Sequence, residues 1–108
     1  MVKIENPGSG DPGRSIGRTA ADADALYFLQ YNSQKRSAAI NLKDPRGPEL
    51  LKRLAKCADV MIENFAPGAI ERLGLGYEAT KAVNPAIITA RSRVSVPAAR
   101  SRRTSPSI

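Results

Sequence analysis

Segments with the character of β-strands alternate with helix-forming segments along most of this chain. Short runs of β-branched and apolar residues occur at residues 2–5, 36–42, 59–64 and 86–90, and helix-forming stretches separate them. This order favours parallel strands, because a parallel neighbour can be reached only through a crossover, which is usually a helix. The sequence therefore predicts an α/β fold with a partial, Rossmann-like parallel sheet flanked by helices.

Capping residues and helix breakers predict where the helices begin and end. Asp24 is expected to cap a helix over residues 24–32. Asp44 is expected to cap a second helix with Pro45 at its first position, where the missing N–H costs nothing. Two shorter helices are predicted after it, one between Pro67 and Gly74 and one over Tyr77–Val83.

Two apolar patterns predict which surfaces are buried. The second helix carries an apolar stripe at helical spacing, formed by Leu50, Leu51, Leu54 and Ala58. The strand over residues 59–64 has a continuous apolar run, Val60-Met61-Ile62, which is typical of a strand buried on both faces of a parallel sheet. Cys57, at the end of the helix, is expected to be inert packing near the core.

Most of the net positive charge comes from the C-terminal end of the chain. The formal net charge is +7 over 108 residues, yet residues 1–90 hold 12 Lys and Arg against 10 Asp and Glu. Residues 91–108 hold five arginines and no acid, and their Arg-, Ser- and Pro-rich composition predicts a disordered basic tail. Nucleic-acid binding by this tail is disfavoured, because it has no aromatic side chain to stack on bases.

Missing residue types exclude several classes of site. The chain has no histidine, which removes the commonest general base and most zinc sites. A single cysteine excludes an internal disulfide framework. No apolar segment resembles a signal-peptide core or a membrane span, so a soluble cytoplasmic protein with no membrane partner is expected.

A glycine-rich segment after the first strand matches the GxGxxG pattern of dinucleotide sites at Gly8, Gly10 and Gly13. In such a site the motif opens a helix whose N-terminus holds a pyrophosphate. Here Asp11 would place a negative charge beside that phosphate, and Pro12 would interrupt the helix. A flexible turn is therefore the favoured interpretation, and a dinucleotide site is the alternative.

Asn64 and Phe65 directly follow the most apolar strand. Ligands of parallel α/β sheets bind beyond the carboxyl ends of the strands, so position alone makes these two residues candidates for a binding site. Phe65 can stack on a flat ring, although core packing is its alternative role. The residues alone thus predict a partial parallel α/β domain whose ligand lies beyond this strand.

Several longer stretches together resemble the N-terminal region of the family III coenzyme A transferases, also known as the CaiB/BaiF family, which includes acyl-CoA racemases. They are VKIENPGSGDPGR, LYFLQYNSQKRSAAINLKDPRGPELLKRLAKCADVMIENFAPGAIERLGLGYE and AVNPAIITA. The similarity covers about residues 2–90. Lys35-Arg36-Ser37, Glu63-Asn64-Phe65 and Glu71-Arg72-Leu73-Gly74 occur in the order and spacing of the family.

This resemblance implies an activity and a binding site. Members transfer CoA from an acyl-CoA to a carboxylic acid through an aspartyl-CoA thioester, with CoA as a substrate and no cofactor required. Full-length members are interlocked homodimers. The CoA-binding positions implied for this chain are Ile40, Lys43, Asn64, Phe65 and Arg72. Ile40 would line the adenine end, and the cations suit the phosphates of CoA.

The chain also departs from the family pattern. The nucleophilic aspartate of the family follows the last strand after a glycine-rich segment, and no such segment is present, so no catalytic residue is assigned. The chain is therefore expected to be a fragment that is inactive alone, with residues 1–90 as a partial domain. A further strand and helix of the family are expected before Met1.

The basic tail is interpreted as an out-of-frame continuation. Codons that encode residues 91–97 can encode Ile-Ser-Gly-Phe-Gly-Pro, the continuation expected for the family, in another frame. The choice between transferase and racemase stays open. Two alternatives to an enzyme fragment also remain, a non-catalytic CoA- or nucleotide-binding module and a small basic protein associated with nucleic acid.

Overall fold

The structure of the protein is a computed structural model that describes residues 1–92. The strands and helices of these residues follow one another in the alternating order that the sequence predicts, and the α/β class is confirmed. In chain order they are β1 (Val2–Glu5), a 3-10 helix (Pro12–Arg14), α1 (Leu26–Asn32), β2 (Arg36–Ala39), α2 (Arg46–Ala55), β3 (Val60–Glu63), α3 (Ala69–Arg72), α4 (Tyr77–Val83) and β4 (Ile88–Arg91).

The strands pair in parallel, as predicted. β1 pairs with β2, with Val2 opposite Arg36 and Glu5 opposite Ala39. β3 pairs with β4, with Val60 opposite Ile88. Each pair is joined by a crossover that contains helix, because a tight turn cannot connect parallel strands. The carboxyl ends of the strands within each pair therefore lie side by side.

The four strands form two separate two-stranded sheets and not one partial sheet. The prediction that residues 60–62 are buried on both faces is wrong, because exposure alternates along β3. Val60 and Ile62 are 48% and 66% exposed, whereas Met61 is half-buried. Within residues 1–92, only one face of β3 is covered by other elements.

The apolar stripe predicted on α2 is only partly buried. Leu50 and Leu54 are exposed, and Gly47 and Ala55 are the buried residues of the helix. α2 packs against α4. The predicted packing of Cys57 near the core is wrong, since the helix ends before it and the cysteine is exposed.

Of the two predicted aspartate caps, one acts on its helix and the other does not. α2 begins at Arg46, and Pro45, predicted as its first residue, occupies the N-cap position. The Arg46 N–H still donates to Asp44 Oδ1 at 2.9 Å, so Asp44 satisfies a free amide at the start of α2. Asp24 does not cap α1, whose N-cap position is Ala25. Asp24 instead accepts a hydrogen bond from Arg14 Nη1 at 2.7 Å, because a cation distant in the sequence competes for the carboxylate.

The glycine-rich segment forms a turn, which was the favoured interpretation. The Gly10 N–H donates to Asn6 O at 2.9 Å, and Gly10 has a φ of 62°. Only one 3-10 turn follows it. The long helix that would hold a pyrophosphate in the dinucleotide alternative does not follow this segment.

The core is small and divides between the two strand pairs. Its buried apolar residues are Ala25, Phe28, Ile40, Ala55, Ile70, Leu75 and Ile87.

None of the helices in residues 1–92 is long and apolar enough to cross a lipid bilayer. Arg91 is the last residue of β4, so the tail does not begin at Arg91 as predicted. The predicted disorder and the frame hypothesis concern residues 91–108, of which residues 93–108 lie outside the described part of the chain.

Gly47 lies in the first turn of α2, packed closely against the backbone of Asn41 and Leu42 after β2. A Cβ built on Gly47 would lie 2.1 Å from the backbone oxygen of Asn41. We expect Gly47→Ala to lower the free energy of unfolding by about 1–3 kcal/mol, because backbone must shift to accept the methyl group. Urea denaturation followed by circular dichroism measures the change. The control is Gly8→Ala, whose Cβ would meet Asn6 Oδ1 at an ordinary 3.5 Å. Equal midpoints for the two variants would contradict this account of Gly47.

Candidate functional site

A cleft of about 400 Å³ opens beyond the carboxyl ends of β1 and β2, facing α3. Its walls come from the end of β1, the segment after β2, the loop after β3 and α3 itself. They include Ile4, Glu5, Ile40, Lys43, Phe65 and Arg72. Ligands of parallel α/β sheets bind at this edge, and the cleft has a volume typical of small-molecule sites.

Four of the five binding residues implied by the family resemblance line this cleft. Ile40, Lys43, Phe65 and Arg72 come together from three different parts of the chain. Asn64, the fifth, is exposed beside Phe65 and does not line the cleft. The fold thus collects side chains that are up to 32 positions apart in the sequence.

The apolar part of the cleft is held by backbone hydrogen bonds. Ile40 is buried, and its N–H donates to Glu5 O at 3.0 Å, which continues the pairing of β1 with β2. The Phe65 N–H donates to Glu63 Oε2 at 2.7 Å. The Phe65 side chain is 39% exposed, so its ring is accessible to a ligand.

The two cations of the cleft have no ion-pair partner within residues 1–92. Lys43 and Arg72 are both exposed, and neither forms a salt bridge in this part of the chain. Arg72 lies on α3, with Nη1 3.0 Å from the point where a Cβ on Gly68 would stand. A ligand with negative charge can therefore bind both cations without displacing a protein carboxylate.

Asp44, next to Lys43, is occupied by a different cation. Arg46 Nη2 donates to Asp44 Oδ2 at 2.8 Å, and Arg46 Nε donates to Oδ1 at 3.1 Å. The hydrogen bonds from the Arg46 side chain and backbone lower the pKa of Asp44 to about 2. Asp44 is therefore paired with Arg46 and forms no salt bridge with Lys43, so the Lys43 ammonium is available to a ligand in the cleft.

Glu5 is the carboxylate in the cleft wall, and it was not among the binding residues predicted from the sequence. Its Oε1 accepts hydrogen bonds from Arg14 Nη2 at 2.8 Å and Ser37 Oγ at 2.8 Å. Its Oε2 accepts from Arg14 Nε at 3.0 Å and from the Asp11 N–H at 3.1 Å. The Arg14 hydrogen bond is the main cause that lowers the pKa of Glu5 to about 2, although burial raises it. A carboxylate with both oxygens engaged is an anchor and not a free nucleophile.

Arg14 extends this anchor into a network that holds the segment between β1 and α1. Its guanidinium pairs with Glu5 and Asp24 and lies 4.1 Å from the centre of the Phe28 ring. Lys3 pairs with Asp11 on the same segment. The signal in the sequence was Glu5 itself, a charged residue within a short strand. A charge buried at such a position requires a partner.

A second, smaller cleft of about 220 Å³ lies beside the carboxyl ends of β3 and β4. Arg91, Glu63 and Glu71 line it, and Arg91 forms salt bridges with both glutamates. None of the five predicted binding residues lines this cleft. Its charges are paired with one another, so the larger cleft is the candidate functional site.

Comparison with known proteins supports the resemblance found in the sequence. Residues 1–94 match the family described as CoA-transferase family III. The chain is 44% identical over 88 residues to a succinyl-CoA:glutarate CoA-transferase of Mus musculus and 43% identical over 90 residues to a formyl-CoA:oxalate CoA-transferase of Afipia carboxidovorans. These alignments cover 82% and 83% of this chain but 20% and 21% of the two relatives. The chain therefore spans about a fifth of their length.

Solved structures give the same result for the fold. A CAIB/BAIF family protein from Brucella suis superposes with a TM-score of 0.75 and is 38% identical. The alignment covers 83% of this chain and 25% of that one. Rv3272 from Mycobacterium tuberculosis, in an orthorhombic form, gives a TM-score of 0.76 with 36% identity, over 86% of this chain and 26% of that one.

The anchored state of Glu5 predicts how stability depends on pH. The folded pKa of Glu5 is about 2, below its ordinary value of 4.5. Its contribution to stability is therefore present above the unfolded pKa and is lost as the pH falls toward the folded pKa. We expect Glu5→Gln to be less stable than the natural chain near pH 7 and to lose less stability between about pH 5 and about pH 3.

Urea denaturation across this pH range measures the effect. Asp22→Asn is the control, because Asp22 is exposed and forms no salt bridge within residues 1–92, so its removal should leave the pH dependence unchanged. If Glu5→Gln lost stability on acidification as steeply as the natural chain, the low pKa of Glu5 would be refuted.

Proposed function

Because the chain belongs to the CoA-transferase family III, we propose that its cleft binds the CoA part of an acyl-CoA thioester. One observation carries the proposal. Lys43 and Arg72 line the same cleft as Ile40 and Phe65, and neither cation has a salt bridge within residues 1–92. Unpaired cations beside accessible apolar surface suit a ligand that joins a flat ring to phosphates.

Each proposed contact follows from the chemistry of CoA. Phosphate oxygens accept charge-assisted hydrogen bonds, which Arg72 can donate in a planar fork and Lys43 as a point charge. The adenine ring needs flat or apolar surface, which Phe65 and Ile40 supply. Asn64 lies beside Phe65, and we propose that its amide reaches the ligand from the rim of the cleft.

We further propose that the complete reaction transfers CoA from an acyl-CoA to a carboxylate through an aspartyl-CoA intermediate. An aspartate carboxylate attacks the thioester carbonyl, which releases CoA thiolate and leaves a mixed anhydride. The thiolate then attacks the aspartyl carbonyl, which releases the first carboxylic acid as its carboxylate. Attack of the second carboxylate on the aspartyl thioester releases CoA thiolate and forms a second mixed anhydride. The thiolate then attacks the acyl carbonyl of this anhydride, which forms the new acyl-CoA and frees the aspartate.

The nucleophile of this reaction is not proposed among residues 1–92. No aspartate in this part of the chain lines the cleft. Glu5 does line it, but four hydrogen bonds occupy its two oxygens. We therefore propose that this chain recognises CoA and, by itself, does not transfer it, which is the role of a partial domain or of a non-catalytic CoA-binding module.

For the whole protein we propose a cytoplasmic location and the interlocked dimer expected from the family. The choice between transferase and racemase stays open. The alternative of nucleic-acid binding depends on the arginines of residues 93–108, which lie outside the described residues.

CoA binding by the full chain tests the proposed site. We expect saturable binding of CoA in isothermal titration calorimetry, and about tenfold weaker binding for Arg72→Ala, because a hydrogen bond from a charged group contributes roughly 1.5–3 kcal/mol. Phe65→Ala is expected to weaken binding in the same direction. Arg53→Ala, an exposed arginine of α2 outside the cleft, is the control and should bind as the natural chain does. The site is wrong if the natural chain does not bind CoA or if Arg72→Ala matches the control.

Turnover is a separate prediction. We expect no transfer of CoA when the purified chain is mixed with succinyl-CoA and glutarate, because the carboxylate of its cleft is engaged by Arg14 and Ser37. Liquid chromatography of the CoA esters with mass detection measures glutaryl-CoA, and a sample without protein gives the background. Glutaryl-CoA above that background would show that the chain carries its own nucleophile.

A further inference from the structure

Arg91 bridges two carboxylates at the carboxyl end of the second strand pair. It is the last residue of β4 and lies opposite Glu63 in the parallel register. Its Nε donates to Glu63 Oε1, and its Nη2 donates to Glu71 Oε1 at 2.6 Å. The two carboxylates raise the pKa of Arg91, with the Glu71 hydrogen bond as the larger cause. The guanidinium therefore ties the ends of β3 and β4 to α3.

Both glutamates that Arg91 holds are directly linked to residues of the larger cleft. The second oxygen of Glu63 accepts the Phe65 N–H at 2.7 Å, so the carboxylate that binds Arg91 also fixes the start of the loop after β3. Glu71 directly precedes Arg72 on α3. Arg91 itself does not line the larger cleft. One bridge, buried only at its Glu63 end, thus supports the aromatic ring and one cation of the proposed site from behind.

α3 needs such support from outside. It has only four residues, Ala69–Arg72, and a single turn of helix is not stable by its own hydrogen bonds. Gly68, with a φ of 78°, directs the chain into this turn. Ile70 is 2% exposed and anchors one side of the turn. The Arg91–Glu71 pair fastens the exposed side, next to Arg72.

We propose that Arg91 is a positioning residue of the cleft: by holding Glu63 and Glu71 it sets where Phe65 and Arg72 stand, without contacting the ligand. Glu5 and Arg14 show the same arrangement on the opposite wall. In both places a glutamate at the end of a strand binds an arginine, and its carboxylate accepts an N–H from the following loop.

Removal of the Arg91 charge should change the structure around Glu63 and Glu71, the two carboxylates that it binds. The Glu63 side chain is 8% exposed, so its carboxylate would keep little water contact without the guanidinium. Glu63 would then have to move outward to regain contact with water, and this movement breaks its hydrogen bond with the Phe65 N–H.

The first experiment needs no ligand, so it is independent of the proposed function. We expect the amide resonances of Phe65 and of α3 to shift in Arg91→Gln, in ¹H–¹⁵N spectra of the full chain, and the Phe65 amide to exchange faster with solvent. Arg46→Gln is the matched control, because it also removes an arginine paired with a carboxylate but leaves the bridge intact. Unchanged Phe65 and α3 amides in a folded Arg91→Gln would overturn the proposal.

A milder variant covers the case in which Arg91→Gln does not fold. Glu63→Gln, on β3, keeps the size of the side chain and removes the charge on one side of the bridge. It should shift the amides of α3 and leave those of β1 and β2 in place. If α3 showed no change in this variant, the bridge would not position the turn.

The second experiment measures CoA binding and rests on the proposed function. We expect Arg91→Gln to bind CoA roughly three- to tenfold more weakly than the natural chain, the size of effect of residues that act through others. Arg91→Lys, which keeps the charge but cannot fork between two carboxylates, should recover part of the loss. Arg53→Gln should bind normally.

The two experiments separate the two ideas. If the natural chain fails to bind CoA, the proposed function is wrong, and the amide shifts still decide whether Arg91 positions Phe65 and α3. If the natural chain binds CoA and Arg91→Gln binds it equally well, the positioning role is wrong while the proposed site stands.

Discussion

A glutamate carboxylate held by an arginine at the end of a strand is the interaction on which the cleft depends. Burial of a carboxylate costs several kcal/mol unless charge and hydrogen bonds compensate. At Glu5 the compensation comes from Arg14, Ser37 and a loop N–H, and it fixes the segment between β1 and α1. At Glu63 it comes from Arg91, and it fixes the loop after β3. The walls of the cleft are therefore placed by polar contacts, because the apolar core is small.

The parallel α/β architecture could be predicted from the sequence because it depends on local patterns. Strand and helix signals alternate, and parallel pairing follows from that order. Burial could not be predicted in the same way, because it depends on which elements stand beside a strand. Val60 and Ile62 are apolar yet exposed, since one face of β3 has no covering element within residues 1–92. The cap predicted at Asp24 failed for a related reason, because Arg14 competes for its carboxylate through the fold.

The candidate site was predictable in part. The rule that ligands bind beyond strand ends selects both Asn64 and Phe65, of which Phe65 lines the cleft and Asn64 does not. Ile40, Lys43 and Arg72 needed the family resemblance, because a lone cation or a lone isoleucine carries no local signal of a site. Glu5 and Arg91 matter through partners 9 to 32 positions away, and the strength of such contacts can be judged only once the distances are known.

Two sheets of two strands leave every strand in residues 1–92 with one neighbour. One side of each strand then presents backbone N–H and C=O groups that no other strand of this part of the chain pairs. On β3 and β4 these open edges lie beside the exposed side chains of Val60, Ile62 and Ile88. An open edge with β-branched side chains is a template for further strand pairing. An edge that would accept a strand from a partner would therefore also pair with another copy of this chain as the protein concentration rises, and the two outcomes would compete for one surface.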